Sequence, residues 1–107
     1  MRITLLIACS MSLALPTAAV RADDYVVGQK DKKFSVDALK IKVGDSVSFR
    51  NDDPFFHNIF SLSEVQSFDL GSYPQGQSRK VTFVKEGRVE VECAIHPEMK
   101  MVVDVAK

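Results

Sequence analysis

The chain has 107 residues, and its 14 Lys and Arg residues are balanced by 14 Asp and Glu residues. A chain of this length is expected to form one small domain. Its balanced charge gives no reason to expect a nucleic-acid partner, which needs a basic excess. Domains this small bury a modest core and often add a disulfide or a metal. The two Cys residues of the chain decide which of these is available.

The N-terminal segment is typical of a cleaved export signal. A mostly apolar run extends from Ile3 to Leu15, follows a positive start and ends before Pro16. A membrane-spanning helix needs about 20 apolar residues, so this run is too short for one, and we expect no stable membrane association. We therefore predict a signal peptide over residues 1–22, cleavage near Ala22, a domain over residues 23–107 and a periplasmic location.

Removal of this leader takes Cys9 with it and leaves Cys93 as the single cysteine. Lipidation at Cys9 is disfavoured, because cleavage there would cut the apolar run needed for export in half. An exported protein with a single cysteine forms no internal disulfide. Cys93 is then a buried inert thiol, a nucleophile, half of an intermolecular disulfide or a metal ligand.

Downstream of Tyr25 the sequence predicts β-strands and no long helix. Apolar and polar residues alternate in several short segments, which is the pattern of strands with one buried face. Turn signals such as Gly44-Asp45 separate the segments, and we also expect a short strand over Ser67–Leu70 and a loop over Gly71–Ser78. Short strands separated by turns are typical of an all-β antiparallel sandwich or barrel. The alternating segments are 39–43, 46–50, 81–83, 89–93 and 103–105.

The end of the 89–93 segment carries side chains that bind metals. Alternation puts Cys93 on the buried face, and Cys93, His96 and Met99 follow one another at intervals of three. The only other histidine is His57, which comes shortly after a predicted turn. Two imidazoles, a thiolate and a thioether form the ligand set of a trigonal blue-copper site. Thiolate and thioether favour Cu(I) and imidazole serves both oxidation states, so the mixed set does not strongly favour either one.

Each of these residues also has an ordinary structural alternative. A histidine among aromatic residues, a buried cysteine and a well-packed methionine are all common in protein cores. The coincidence of both histidines, the one remaining cysteine and a regularly spaced methionine favours the metal. A Cys-His pair could also serve nucleophilic catalysis, but the sequence has no oxyanion-hole or orienting-residue motif. We therefore do not expect an enzyme.

The segment Cys93-Ala94-Ile95-His96-Pro97-Glu98-Met99 resembles the C-x-x-H-P-x-M loop of cupredoxins, in particular their short-loop, amicyanin- and plastocyanin-like group. His57-Asn58 resembles the upstream ligand of that family, and the likeness extends over residues 25–107. It implies a Greek-key β-sandwich of about seven to eight strands with a copper site at one end. It also implies that Asn58 ties the two ligand loops together by hydrogen bonds. The ligands of the implied type 1 copper are His57, Cys93, His96 and Met99.

Two positions depart from the family pattern. Ala94 stands where Ser or Thr is common, which removes a hydroxyl partner of Asn58. Met101 stands where Gly is common, at an interval that makes it a rival axial ligand to Met99. We expect Met99 to be the ligand and Met101 to pack in the core, because the chain after Met99 fits the short-loop pattern without a gap.

These expectations describe a small exported monomer that carries single electrons between Cu(I) and Cu(II) states, with electrons crossing at His96. By analogy with the resembled group, its partners are redox proteins, a donor dehydrogenase and an acceptor cytochrome. One alternative is a periplasmic copper-binding carrier or storage module without redox turnover, and another is a sandwich whose Cys and His are structural. An apolar collar or docking patch is expected around the ligand loops, formed by Phe55, Phe56, Ile95 and Pro97.

Overall fold

The computed structural model describes residues 21–107, so most of the predicted signal peptide lies outside the described residues. Within that range the chain forms nine β-strands, and it contains no helix that could cross a membrane. The strands are β1 (Asp24–Lys30), β2 (Lys33–Phe34), β3 (Ala38–Lys42), β4 (Ser46–Asn51), β5 (His57–Ser61), β6 (Phe68–Tyr73), β7 (Ser78–Thr82), β8 (Gly87–Cys93) and β9 (Lys100–Ala106).

The strands form two sheets, in the orders β2-β1-β4-β7 and β3-β9-β8-β5-β6. This confirms the predicted all-β sandwich. The prediction of purely antiparallel pairing is wrong in two places, because β1 runs parallel to β4 and β3 runs parallel to β9. Parallel neighbours need a crossover, and between β1 and β4 the chain passes through the other sheet as β3. The strand count exceeds the prediction by the two-residue β2.

Alternation along the strands builds the core between the sheets. In β8, Val89, Val91 and Cys93 are buried, while Arg88 and Glu90 face solvent. Each fully buried Val or Phe contributes about 1.5–3 kcal/mol relative to an exposed one. One continuous cluster joins both sheets, and its members include Val27, Val47, Phe49, Ile59, Phe83, Val89, Val91 and Val103.

Strand β6 is longer than the sequence predicts. We expected a strand over Ser67–Leu70 followed by a loop, but β6 continues through Gly71 to Tyr73. The strand extends because Tyr73 pairs with His57 of β5 and buries its ring completely. Glycine is a poor strand former on its own, so the extension depends on this pairing with a distant segment.

The turn between β1 and β2 has an uncommon sequence for its conformation. Lys30 pairs with Lys33, and the two residues between them, Asp31 and Lys32, have φ angles of 53° and 57°. Two consecutive left-handed residues define a type I′ turn, which usually contains Asn or Gly. Each non-glycine residue in this conformation costs about 1–2 kcal/mol, so the surrounding contacts must stabilise the turn.

Asp45 anchors the start of β4. Its side chain is almost fully buried and accepts hydrogen bonds from the backbone N–H groups of Asp23 and Lys42, both at 2.8 Å. These two bonds hold the pKa of Asp45 below its usual value, although its burial acts in the opposite direction. The ionised carboxylate therefore fastens the first residues of the domain to the Lys42–Asp45 turn.

Candidate metal centre

The predicted ligands converge at the end of the sandwich where β5 begins and β8 ends. Ile59 of β5 pairs with Cys93 of β8. His57 lies two residues before Ile59, so its side chain is on the same face of the sheet as the Cys93 thiol. His57 is 0% exposed and Cys93 2% exposed. His96 comes from the loop after β8 and is half-buried.

Both imidazole rings turn their Nδ1 atoms toward the sulfur. The Cys93 Sγ lies 3.6 Å from the Nδ1 of His57 and 3.8 Å from the Nδ1 of His96. The ring centroids of the two histidines are 5.1 Å apart. One candidate ligand atom from each of the three residues lies within 4.8 Å of the other two. Three donors at this spacing can bind one metal ion together.

Of the two methionines, Met99 is the one whose backbone lies next to that of Cys93. The Cys93 N–H donates to the Met99 carbonyl at 3.3 Å. Met101 pairs with Val91, two residues deeper in the sheet, and belongs to the core cluster. Residues opposite each other on antiparallel strands share a face. Continuing the β8–β9 register therefore brings Met99 onto the face of the Cys93 thiol, and Met101 packs in the core as the sequence predicts.

The loop from Cys93 to Met99 is closed by backbone hydrogen bonds. The Met99 N–H donates to the His96 carbonyl at 2.9 Å, and the Ala94 N–H donates to the Asn58 carbonyl at 3.2 Å. The first bond tightens the loop around His96, and the second joins it to β5. The backbone thus fixes where His96 and Cys93 stand relative to His57.

Asn58 ties the ligand loops together, but through its backbone. Its carbonyl accepts the Ala94 N–H, while its buried side-chain Oδ1 makes no hydrogen bond with any residue that the structure describes. The sequence predicts this loss, because Ala94 lacks the hydroxyl that Ser or Thr would offer. A buried carbonyl-type oxygen without a donor costs about 1–3 kcal/mol, so Ala94 leaves a local weakness next to the thiol.

Asn51 organises the approach to His57, a role that the sequence analysis missed. Its side chain is fully buried; its Nδ2 donates to the carbonyls of Phe55 and Tyr73, at 2.8 and 2.9 Å. Its Oδ1 accepts the N–H of Asp53 at 2.8 Å. The residues Asn51 to Pro54 were interpreted only as a turn signal. The available clue was that this turn comes shortly before His57, the first residue of β5.

Asp53 is the second residue that the sequence analysis missed. Its carboxylate lies 2.7 Å from the Nε2 of His57 and also accepts the N–H groups of Asp31 and Lys32, at 2.7 and 3.1 Å. Burial raises the pKa of Asp53, but the hydrogen bonds from His57 and from the two turn amides outweigh it and bring the pKa below its usual value. Asp53 therefore stands as an ionised acceptor between the site and the β1–β2 turn.

His96 lies at the surface opening of the site. Burial lowers its pKa, and the neighbouring His57 and Lys32 lower it further, against an opposing effect of Asp53. The ring therefore keeps a lone pair for a metal at lower pH than a free histidine would. A shallow surface cavity beside it is lined by Lys32, Ile95, His96, Pro97 and Glu98.

The expected apolar collar divides into two parts. Phe55 is half-buried, and its ring centroid lies 5.4 Å from that of His57 and 5.1 Å from that of His96. Phe56 and Ile95 remain 55% and 48% exposed, and Pro97 is also exposed. Phe55 thus covers the imidazoles, whereas Ile95 and Pro97 form an exposed apolar surface beside His96, and Phe56 is exposed next to Phe55 in the chain.

Comparison with known proteins supports the interpretation of this site as a metal centre. Residues 22–106 match a family model described as copper binding proteins of the plastocyanin/azurin family. The chain therefore belongs to this family, the cupredoxins, and its cofactor is copper. Within the family it is of the amicyanin-like type, a group of small copper electron carriers.

Individual relatives support the narrower grouping. The chain is 34% identical over 96 residues to the methylamine utilization protein MauL of Methylorubrum extorquens, covering 89% of this chain and 82% of that protein. A reduced amicyanin variant superposes with a TM-score of 0.70 at 28% identity, over 75% of this chain and 79% of that chain.

A copper-containing nitrite reductase from Thermus scotoductus matches with a TM-score of 0.73 and 26% identity, over 78% of this chain. The match takes in only 22% of the reductase chain. The present chain therefore spans about a fifth of that enzyme's length, and the likeness concerns one domain of it.

Proposed function

We propose that this protein is an exported carrier of single electrons whose copper would be bound by the Nδ1 atoms of His57 and His96, the thiolate of Cys93 and the thioether of Met99. The observation that carries the proposal is the gathering of the first three donor atoms within 4.8 Å at one end of the sandwich. When bound, copper supplies the one-electron oxidation and reduction that no side chain here can perform.

The donor set fits copper by its chemistry. Two imidazoles and one thiolate in a plane, with a weak methionine ligand, suit a blue-copper centre, and soft thiolate and thioether donors select against hard cations. His57 and Cys93 stand on adjacent strands, and the His96 loop is closed by its own hydrogen bonds. This rigid support limits rearrangement between oxidation states, which favours fast electron transfer.

A carrier role fits the site better than catalysis. Catalytic metal sites keep a coordination position open for substrate, whereas four protein donors leave no such position here. His57 and Cys93 are buried, so substrates do not reach them. We therefore propose no enzymatic activity for the chain itself.

Electrons are proposed to cross at His96, the one imidazole that reaches the surface. The exposed apolar residues Ile95 and Pro97 lie beside it. Lys32 and Glu98 carry opposite charges at its margin. A small apolar patch suits the brief, small-area contacts typical of redox partners. The proposed partners are a dehydrogenase donor and a cytochrome acceptor, and the name of the relative, methylamine utilization protein MauL, supports a place in methylamine utilization. Export through the leader at residues 1–22 and a periplasmic location belong to the same proposal.

The test is the visible spectrum of the protein after addition of one equivalent of Cu(II). An electron carrier turns intensely blue and bleaches reversibly with a mild reductant. Stoichiometric binding without colour, with copper lost readily to a chelator, would instead support a carrier or storage module. Cys93→Ser should abolish the colour, while Met101→Leu, a core substitution of similar volume, should retain it. A blue Cys93→Ser protein would refute the proposed thiolate ligand.

A further inference from the structure

We propose that Asp53 is a positioning residue that couples the β1–β2 turn to the copper site. One carboxylate would fix the proton of His57 on Nε2 and, at the same time, hold Asp31 and Lys32 in their left-handed conformation. The copper-related part of this inference rests on the proposed ligand role of His57, whereas the coupling itself concerns only the protein.

The Asp53 carboxylate is buried and bonds outward to two different parts of the fold. Its side chain is 4% exposed. Oδ2 lies 2.7 Å from the Nε2 of His57 and 3.1 Å from the nitrogen of Lys32, and Oδ1 lies 2.7 Å from the nitrogen of Asp31. A carboxylate offers about four lone-pair sites, so these three bonds nearly satisfy it. Its orientation is therefore fixed by both partners together.

The bond to His57 determines which ring nitrogen faces the thiol. An ionised carboxylate only accepts hydrogen bonds, so Nε2 of His57 must carry the proton. The lone pair is then on Nδ1, which lies 3.6 Å from the Cys93 Sγ. A carboxylate on the far nitrogen also makes the imidazole a stronger donor to a metal. Asp53 thus prepares His57 for a ligand role without touching the ion.

The bonds to the turn explain how two non-glycine residues adopt positive φ angles. The Asp31 and Lys32 amides both point at the same carboxylate, which offsets the steric cost of this conformation. The β1–β2 turn also places the Lys32 ammonium 5.8 Å from the centre of the Phe55 ring. The Phe55 ring contacts both histidines. Asp53 therefore also sets the position of the positive charge beside His96.

The experiment compares Asp53→Asn with Asp52→Asn by NMR of the metal-free protein. Asp52 is the matched control, because it is the neighbouring carboxylate and, among residues 21–107, its side chain bonds to the Arg50 guanidinium alone, at 2.9 and 3.2 Å. The readouts are the protonated nitrogen of the His57 ring and the hydrogen exchange of the Asp31 and Lys32 amides.

In the wild-type protein and in Asp52→Asn we expect the proton on Nε2 of His57 and slow exchange at both turn amides. In Asp53→Asn an amide replaces the carboxylate, so we expect exchange at the turn to rise by about tenfold or more. The ring proton should shift in part to Nδ1. Copper affinity should fall by about 10- to 100-fold, as for other partners of metal-binding histidines.

Several outcomes would overturn the proposal. If hydrogen exchange of the turn amides becomes faster while the protonated nitrogen of His57 and the copper affinity stay unchanged, Asp53 stabilises only the turn. No change in the exchange of the turn amides or in the protonation of the His57 ring would refute both the turn role and the copper-site role of Asp53. If Asp53→Asn does not fold, the wild-type spectrum decides, because the proposal requires a slowly exchanging Nε2–H of His57 close to the Lys32 amide. A protein that shows these signals yet stays colourless with copper would refute the proposed function and leave the coupling intact.

Discussion

The backbone of Cys93 is hydrogen-bonded directly to that of Met99, with 3.3 Å between the Cys93 nitrogen and the Met99 oxygen. This bond closes the ligand loop at its base, so the loop's two ends stand side by side although His96 lies between them in the chain. The loop therefore presents a thiol, an imidazole and a thioether from one small, internally bonded unit.

Replacing Met99 by Leu tests the axial ligand. The substitution keeps the volume and removes the weak electron donation of the thioether to the metal. We expect a blue protein with a higher reduction potential, measured by redox titration of the visible band. Met101→Leu is the control and should cost less than about 1.5 kcal/mol of stability without moving the potential. A shift in Met101→Leu alone would reverse the assignment.

A hydroxyl at position 94 should repair the unpaired oxygen of Asn58. We expect Ala94→Thr to be more stable than Ala94→Val, which has the same shape without the hydroxyl, by about 1 kcal/mol. Thermal unfolding of the metal-free variants measures the difference. Equal stability of the two variants would show that the hydroxyl does not reach the Asn58 oxygen.

Asp45 should make the protein acid-sensitive. Its folded-state pKa lies below the ordinary 3.8 because the Asp23 and Lys42 amides bond its carboxylate. The unfolded chain therefore binds the proton more readily, and the stability that Asp45 supplies is fully present above pH 3.8 and is lost as pH falls through the folded-state pKa.

Unfolding by denaturant at a series of pH values checks this. Asp45→Asn should be less stable than the wild type at neutral pH, and the difference should shrink as the pH falls below 3.8 and through the folded-state pKa of Asp45. Asp24→Asn, at a largely exposed carboxylate, is the control and should retain the wild-type dependence on pH. A constant difference between Asp45→Asn and the wild type at all pH values would contradict the prediction.

The exposed apolar residues near His96 should govern partner contact and not stability. Ile95→Ser, at a residue beside His96, is expected to change the unfolding free energy by no more than about 0.5 kcal/mol, as for other exposed sites, since Ile95 is 48% exposed. It should slow electron transfer with a redox partner without changing the visible spectrum. Leu62→Ser, at a residue that is 79% exposed, is a control and should leave the transfer rate unchanged. Stopped-flow kinetics distinguish the two variants.

Local patterns were sufficient to predict β8, β9 and the side chains that meet at the site. Val89, Val91 and Cys93 share a face because strands alternate, and that alternation is visible in the sequence. Met101 was assigned to the core because the chain after Met99 fits the short-loop pattern without a gap, and Met101 is buried. These features depend on neighbours in the chain, which is why sequence reasoning reached them.

Features that depend on distant backbone groups were not predictable. Apolar and polar residues alternate in the same way in parallel and antiparallel strands. The parallel pairing of β1 with β4 is therefore not visible in the sequence pattern. The roles of Asn51 and Asp53 depend on carbonyl and amide groups of remote residues, among them Tyr73 and Lys32. Backbone groups are the same in every residue, and their positions follow only from the folded topology.

The burial of Cys93 has a consequence for how the protein survives before it acquires its metal. Cys93 is 2% exposed, and its sulfur is flanked by two imidazole rings. Thiol–disulfide exchange requires a second sulfur to come into direct contact along the bond that forms. Glutathione and the cysteines of other chains are too bulky to reach it, whereas a single ion is not. Burial therefore protects the thiol of the folded chain from disulfide exchange with bulky partners.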